Sequence, residues 1–317
     1  MTLLSITELK TYYYLPDAVI KAVDGVDLEI AEGEIIGIVG ESGSGKSTLG
    51  LSIIRLVPSP GKIVGGNIFF EGKNLIKLPE KEMSKIRGKE ISMVFQDPLT
   101  SLDPLMRVED QLIETIITHQ KVSEDEASKL ARDYLEMVGI PGDRLRDYPH
   151  QFSGGMRQRA MIAMAIATSP KLVIADEPTT ALDVIVQAQI MRLFSKLRDE
   201  LGVSFMIITH DISIVMEVAD KIGVMYGGHL VEYGDVNEIH KDPLHPYTKE
   251  LLRAVPNIEV RDVELRYIPG DPPDLSNPPS GCRFHPRCPY ATDICKKEIP
   301  GKRFKNKHMV RCYLYEQ

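Results

Sequence analysis

Two glycine-rich turns in this chain of 317 residues have the composition to hold phosphate. The first, Gly40-Glu41-Ser42-Gly43-Ser44-Gly45-Lys46-Ser47-Thr48, follows an apolar run and precedes a helical pattern, the context a phosphate-binding loop requires. Its glycines let successive backbone N–H groups face the phosphates, Lys46 brings positive charge to them, and the Ser47 hydroxyl is a Mg2+ ligand. The second, Ser153-Gly154-Gly155, opens another helix, whose unpaired N–H groups and positive end make a further anion site. A spare helix end of this kind points to a nucleotide contributed by another subunit.

Acidic and polar groups complete the set. Asp176 closes the apolar run Leu172-Val173-Ile174-Ala175, where its carboxylate can hold Mg2+ through water, and Glu177 follows as the acceptor that orients an attacking water. Gln96 comes after a short strand pattern, with an amide able to reach Mg2+ or that water. His210 ends another strand pattern and can donate to a terminal phosphate.

These residues need a sheet to position them. Strand patterns cover Leu4 to Leu9, Val19 to Val23, Val26 to Ile30 and Ile35 to Val39, divided by Pro16-Asp17, Asp24-Gly25 and Glu32-Gly33. Ser47 to Leu56 reads as helix, Asn67 to Phe70 and Ile91 to Phe95 as strands, and residues 106–168 as mostly helical, with Ser123 and Glu126 forming a capping box. From Leu172 on, strands alternate with helices at Val184 to Leu201 and Ile212 to Ala219, ending in Ile222 to Met225 and Leu230 to Tyr233 around Gly227-Gly228. Alternation of this kind predicts a largely parallel sheet flanked by helices.

Composition narrows the function classes. A net charge of -7 and the lack of a basic, aromatic-rich stripe in the first 250 residues argue against a nucleic-acid partner. The longest apolar run, near Ala160 to Ala167, falls short of the ~18–20 residues that span a bilayer, and no signal-peptide pattern is present, so a soluble, cytosolic chain is expected.

Taken in order, the motifs resemble those of the ATPase subunit of an ABC transporter, over residues 1 to about 240. Lys46-Ser47 matches the Walker A motif, Gln96 the Q-loop, Ser153-Gly154-Gly155 the signature, Asp176-Glu177 Walker B, Ala181-Leu182-Asp183 the D-loop, and His210 the switch histidine. Phe152 stands where leucine is usual. The resemblance implies an α/β P-loop NTPase core of ABC type, with a mixed sheet, an inserted helical subdomain near residues 97–168, and ATP and Mg2+ as ligands. It also implies two subunits sandwiching two ATP molecules, each γ-phosphate held by Lys46 of one and by Ser153 and the Gly155 N–H of the other. The family's adenine-stacking aromatic falls in Tyr12-Tyr13-Tyr14; strand alternation puts Tyr12 and Tyr13 on opposite faces, and Tyr13 is favoured over Tyr12.

After residue 244 the chain changes character. Eleven prolines fall between 243 and 300, and residues 278–317 hold nine Lys/Arg against three Asp/Glu. Residues 245–317 are therefore expected to form a small module beside an ATPase domain of residues 1–244. Cys282, Cys288, Cys295 and Cys312 are spaced C-x5-C-x6-C-x16-C, without the close pairs usual for zinc. A 4Fe–4S cluster is the favoured ligand, with Zn2+ and unliganded thiols as alternatives, and the surrounding positive charge would offset four thiolates.

His245-Pro246-Tyr247-Thr248, Gly281-Cys282-Arg283-Phe284-His285-Pro286-Arg287-Cys288-Pro289 and Phe95 to Pro104 resemble the dipeptide and oligopeptide importer ATPases, a group that includes nickel importers. That resemblance implies a related but non-identical second ATPase, two transmembrane permeases, an extracytoplasmic substrate-binding protein and a place on the cytoplasmic face of the membrane. Closure would be passed to the permeases through residues 96–104 and the helical block. A soluble ABC ATPase acting on DNA or ribosomes typically has long coiled coils or two fused ATPase domains, and a P-loop kinase would leave the signature helix unexplained; neither pattern fits.

Overall fold

A computed structural model describes residues 1–97, 101–254 and 268–315. Pro98, Leu99 and Thr100, within the segment expected to face the permeases, lie outside the described residues, as does Pro256 of the tail. The strands are β1 (Thr2–Tyr14), β2 (Val19–Ala31), β3 (Ile35–Val39), β4 (Gly61–Phe70), β5 (Lys73–Asn74), β6 (Ile91–Val94), β7 (Leu172–Asp176), β8 (Ser204–Thr209), β9 (Lys221–Tyr226), β10 (His229–Asp235), β11 (Arg303–Lys305) and β12 (His308–Val310). The helices are α1 (Lys46–Ile53), α2 (Glu80–Ile86), α3 (Val108–His119), α4 (Glu124–Met137), α5 (Gly154–Ile166), α6 (Val184–Leu201), α7 (Ile212–Met216), α8 (Val236–Lys241), α9 (Pro246–Arg253) and α10 (Asp293–Lys297).

The chain forms two compact units. One comprises Met1–Ile30, Ile36–Lys77 and Thr209–Gln317; the other comprises Ala31–Ile35 and Leu78–Ile208.

In the first unit, β1, β2, β4 and β5 make a four-stranded sheet in the order β2-β1-β4-β5, in which β4 runs antiparallel to both β1 and β5. β1 runs past the expected end at Leu9 because β4 begins at Gly61 and offers partners as far as Tyr13. The expected break at Asp24-Gly25 does not occur, and β2 runs through it. Gly25 still takes φ 72°, a local kink, and side-chain bonds secure it within the strand: Asp24 accepts from Tyr12 (2.6 Å) and Arg283 (2.6 Å), and the Gly25 carbonyl accepts from Arg311 (2.6 Å). A second sheet pairs β3 with β9 in parallel, then β10, β12 and β11 antiparallel.

The proline- and cysteine-rich tail thus lengthens a sheet of this unit through β12, which pairs Val310 with Glu232 and Met309 with Tyr233. Glu232 explains why the join holds. Its carboxylate is fully buried and accepts from the Leu244 N–H (2.7 Å), the His245 N–H (2.9 Å) and His308 Nε2 (2.7 Å). A buried carboxylate with this many donors repays its desolvation, and here the donors come from both ends of the tail. His245 in turn accepts from the Tyr247 N–H and caps α9.

In the second unit, β6, β7 and β8 pair in parallel. β7 and β8 are buried along their whole length, which is why both read as unbroken apolar runs. The predicted helical block contains α3, α4 and α5; the Ser123 hydroxyl accepts from the Glu126 N–H at 3.3 Å and caps α4. α6 has the predicted bounds, starting from an Asp183 cap and stopping at Gly202.

Burial holds His245 and His229 at pKa values of about 4, so both are neutral in the folded chain at pH 7. An unfolded histidine takes a proton near pH 6.5, so each site's stabilisation is complete above that value and is lost as pH falls towards 4. Stability by urea unfolding should therefore fall between pH 6.5 and 4 by up to about 1.4 kcal/mol per pH unit for each site. His245→Asn keeps an acceptor for the α9 cap, and its slope should be visibly shallower than that of the wild type.

Candidate nucleotide site

The phosphate loop leaves buried β3 and enters α1, whose first turn has no acidic residue to oppose an anion. Gly45 takes φ 102° at the helix cap, and a Cβ there would lie 1.9 Å from the Ala22 carbonyl oxygen, so only glycine fits. Lys46 is buried and donates from Nζ to the Gly40 (2.8 Å) and Glu41 (3.0 Å) carbonyls. Ser42 and Gly43 are exposed, whereas the Ser44 hydroxyl is buried without a hydrogen-bond partner. An orphaned buried hydroxyl beside a buried ammonium in a glycine cradle fits a phosphate ligand.

Tyr12 and Tyr13 diverge as strand alternation predicts. The Tyr12 hydroxyl donates to Asp24, while the Tyr13 hydroxyl lies 3.4 Å from Thr48 Oγ1 on α1, next to Ser47. Asp24 is partly buried, which alone would raise its carboxyl, but the nearby His229 ring, the Tyr12 hydrogen bond and the charge of Arg283 hold it below the usual carboxylate range. His210 is exposed, directly after β8, and Asp211 caps α7 beside it.

The second unit carries Gln96, Ser153, Gly154, Gly155, Asp176, Glu177 and Asp183. Gln96 is exposed after β6, and Asp176 is the buried last residue of β7. Glu177 adopts φ 46°, a conformation that costs a non-glycine residue about 1–3 kcal/mol and clusters at functional sites. Its N–H donates to the Ile208 carbonyl (2.8 Å), and the Thr180 hydroxyl donates to its Oε2 (2.7 Å), so the strained backbone aims a fixed carboxylate. Sequence patterns carry no sign of this strain.

Ser153 is exposed and caps α5, accepting from the Met156 N–H at 3.3 Å. Gly154 and Gly155 also admit a neighbour: a Cβ on Gly155 would lie 2.7 Å from Val186 of α6, and one on Gly154 would lie 3.3 Å from Leu182. The signature turn and the Leu182–Asp183 turn are thus packed together, and Asp183 caps α6 through the Val186 N–H (3.0 Å).

All four cysteines are free thiols lining one cavity of about 220 Å³. Burial and mutual repulsion push up the thiols of Cys282, to about 12, of Cys312, to about 11, and of Cys288. Among the described residues no three His, Cys, Asp or Glu side chains are grouped tightly enough to hold a single metal ion. The arginines beside the cysteines do not offset the thiols as their charge suggests. Arg283 turns to Asp24 and the Gly227 carbonyl, Arg287 to Glu41, and Arg311 to the Gly25 carbonyl. Sequence reasoning missed these contacts; the signal that could have found them is an arginine adjacent to three of the four cysteines.

Residues 23–180 match the family model described as ABC transporter, and residues 231–295 match one described as the oligopeptide/dipeptide transporter C-terminal region. The oligopeptide transport ATP-binding protein OppD of Bacillus subtilis is 48% identical over 98% of this chain and 88% of its own. The dipeptide transport ATP-binding protein DppD of the same organism is 46% identical over 99% of this chain and 95% of its own. The dimeric post-hydrolysis structure of the ATP-binding cassette MJ0796 bound to ADP and Pi superposes with a TM-score of 0.67 at 31% identity, covering 74% of this chain and 98% of that one. Among the described residues no helix is long and apolar enough to cross a membrane.

Because Gly155 meets Val186 so closely, Gly155→Ala should destabilise the chain by about 1–3 kcal/mol, the usual result of overpacking. Adding Val186→Ala should recover most of that loss in urea unfolding; an additive double variant would place the strain elsewhere.

Proposed function

The chain belongs to the ABC transporter family, among the ATP-binding subunits of oligopeptide and dipeptide importers, and on that premise we propose that it hydrolyses ATP to energise peptide uptake across the cytoplasmic membrane. The observation that carries the ATPase reading is the phosphate loop, with its buried Lys46 and orphaned Ser44 hydroxyl. The match of the tail to the oligopeptide/dipeptide C-terminal region supports the peptide cargo.

In this reading the loop N–H groups and Lys46 bind the β- and γ-phosphates, and Tyr13 or Tyr12 stacks on the base. Ser47, Gln96 and Asp176 would hold Mg2+, which supplies charge neutralisation when bound. Glu177 accepts a hydrogen bond from the attacking water and orients it, and His210 donates to the γ-phosphate. The strained backbone of Glu177 and the Thr180 hydrogen bond to its carboxylate support that role, because an orienting base needs a defined position.

Ser153 and the Gly155 N–H face a nucleotide held by a second, related ATPase chain. Asp183 belongs to the same face, close to the signature through the Gly155–Val186 approach. The complete importer would add two transmembrane permeases and an extracytoplasmic binding protein, with this chain peripheral on the cytoplasmic side.

Cys282, Cys288, Cys295 and Cys312 would ligate a 4Fe–4S cluster. What supports that reading is that all four line one cavity of about 220 Å³, with Zn2+ as the alternative ligand. Bound there, it would staple loops that share little apolar core.

Glu177→Gln should bind Mg-ATP, lose turnover on the order of a hundredfold or more and accumulate as a dimer, since general-base removal costs typically that much. Normal turnover in that variant would sink the assignment. Lys46→Ala should lose ATP affinity. Anaerobic purification followed by iron, sulfide and zinc analysis tests the tail: stoichiometric zinc without iron would replace the cluster.

A further inference from the structure

Glu41, the second residue of the phosphate loop, is held through its N–H, its carbonyl and its carboxylate. Its N–H donates to the Tyr247 hydroxyl at 2.8 Å, and its carbonyl accepts from Lys46 at 3.0 Å. Its carboxylate takes a two-pronged grip from Arg287, Nη1 at 2.7 Å and Nη2 at 3.0 Å. Two of these grips come from the tail.

Arg287 is not a surface residue reaching for a convenient partner. Its side chain is 5% exposed, and it also donates to the Pro269 carbonyl (2.8 Å), the Ile268 carbonyl (3.2 Å) and the Tyr226 hydroxyl (3.3 Å). The turn that carries it is anchored by Phe284, buried against Tyr226 and Tyr247 with ring centroids 5.1 and 5.4 Å apart. Pro272 and Pro273 line a small space with Ser42, Gly43 and Ser44, so the tail also walls the loop. An exposed, single-bonded ion pair would contribute little, whereas a bidentate one made by a buried, preorganised arginine fixes geometry.

We propose that Arg287 is a positioning residue for ATP binding: through Glu41 it holds the phosphate loop in its binding shape, so that the tail completes the nucleotide site within the same chain. This rests on the phosphate-loop reading above. A glycine-rich loop loses much conformational freedom when it closes on phosphate. Fixing residue 41 beforehand removes part of that loss, and the benefit is the same for bound substrate and for the transition state. Loss of the clamp should therefore appear in KM and leave kcat alone.

The test uses the full chain and measures ATPase kinetics, Kd for a fluorescent ATP analogue and thermal unfolding. Arg287→Ala should raise KM and Kd on the order of tenfold with kcat within about twofold, the signature of lost uniform binding. Arg287→Lys, which keeps the charge but not the fork, should fall between it and the wild type. Arg287→Ala leaves Glu41 without its partner, so the double variant Arg287→Ala/Glu41→Gln serves if it unfolds. That double variant should match the single variants in KM, because both remove one interaction.

Unchanged KM in folded Arg287 variants, additive losses in the double variant, or a fall in kcat at constant KM would each overturn the proposal. Lys46→Ala separates it from its premise. If Lys46→Ala loses ATP while the Arg287 variants do not, only the clamp fails. If Lys46→Ala keeps full affinity, the phosphate-loop reading fails with it.

Discussion

Buried polar groups must be paired, and in this protein the pairing joins the tail to the rest of its unit. Asp24, Glu41 and Glu232 each take a partner from beyond residue 280: Arg283, Arg287 and His308. Asp24 lies on β2, Glu41 is the second residue of the phosphate loop, and Glu232 lies on β10. Arg283 and Arg287 are buried, so removing Asp24 or Glu41 would leave the arginine's charge uncompensated. The tail's prolines cannot donate backbone bonds, and its described residues include a small apolar cluster of Leu244, Val310 and Cys312. Its attachment therefore rests on these polar contacts, together with the ring cluster of Tyr226, Tyr247 and Phe284.

The same principle shows what could be read from sequence and what could not. β3, α6 and the motif residues were legible because each is set by local pattern: a buried apolar run, a cap followed by periodicity, or a glycine spacing. β12 was not, because a three-residue strand of His308, Met309 and Val310 has no period to detect and exists only by pairing with β10. The continuity of β2 through Asp24-Gly25 was hidden for a related reason. Turn residues break a strand unless distant donors hold them, and those donors, Arg283 and Arg311, are more than 250 positions away. The arginines were visible as charge, but their direction was not.

Strain and close approach mark the candidate site more sharply than charge does. Glu177 and Ala181 both have positive φ, bracketing the turn between β7 and α6, and neither is a glycine. A sequence chosen only for stability would place glycine at such positions; keeping a carboxylate at residue 177 indicates that the side chain is worth its strain. Gly155 shows the converse. The residue could be explained by anion binding alone, yet Val186 occupies the place a Cβ would need. The signature turn and the start of α6 therefore constrain one another, so a shift in either must move both.

That reciprocity has a parallel in the first unit. Lys46 and Tyr247 hold the backbone of Glu41 while Arg287 holds its carboxylate, and Gly228 donates to the Ser44 carbonyl at 2.9 Å. The loop is thus gripped by its own lysine, by the β9–β10 turn and by the tail. A phosphate loop held only by its own helix would have to be ordered by its ligand. Here the elements that order it come from as far along the chain as residue 287, so the tail is better regarded as one wall of the nucleotide site than as an appendage. The cysteine cavity shares that wall, since Cys288 follows Arg287 directly and Cys282 precedes Arg283. Whatever fixes the cysteine loops therefore also fixes the two arginines that reach Glu41 and Asp24.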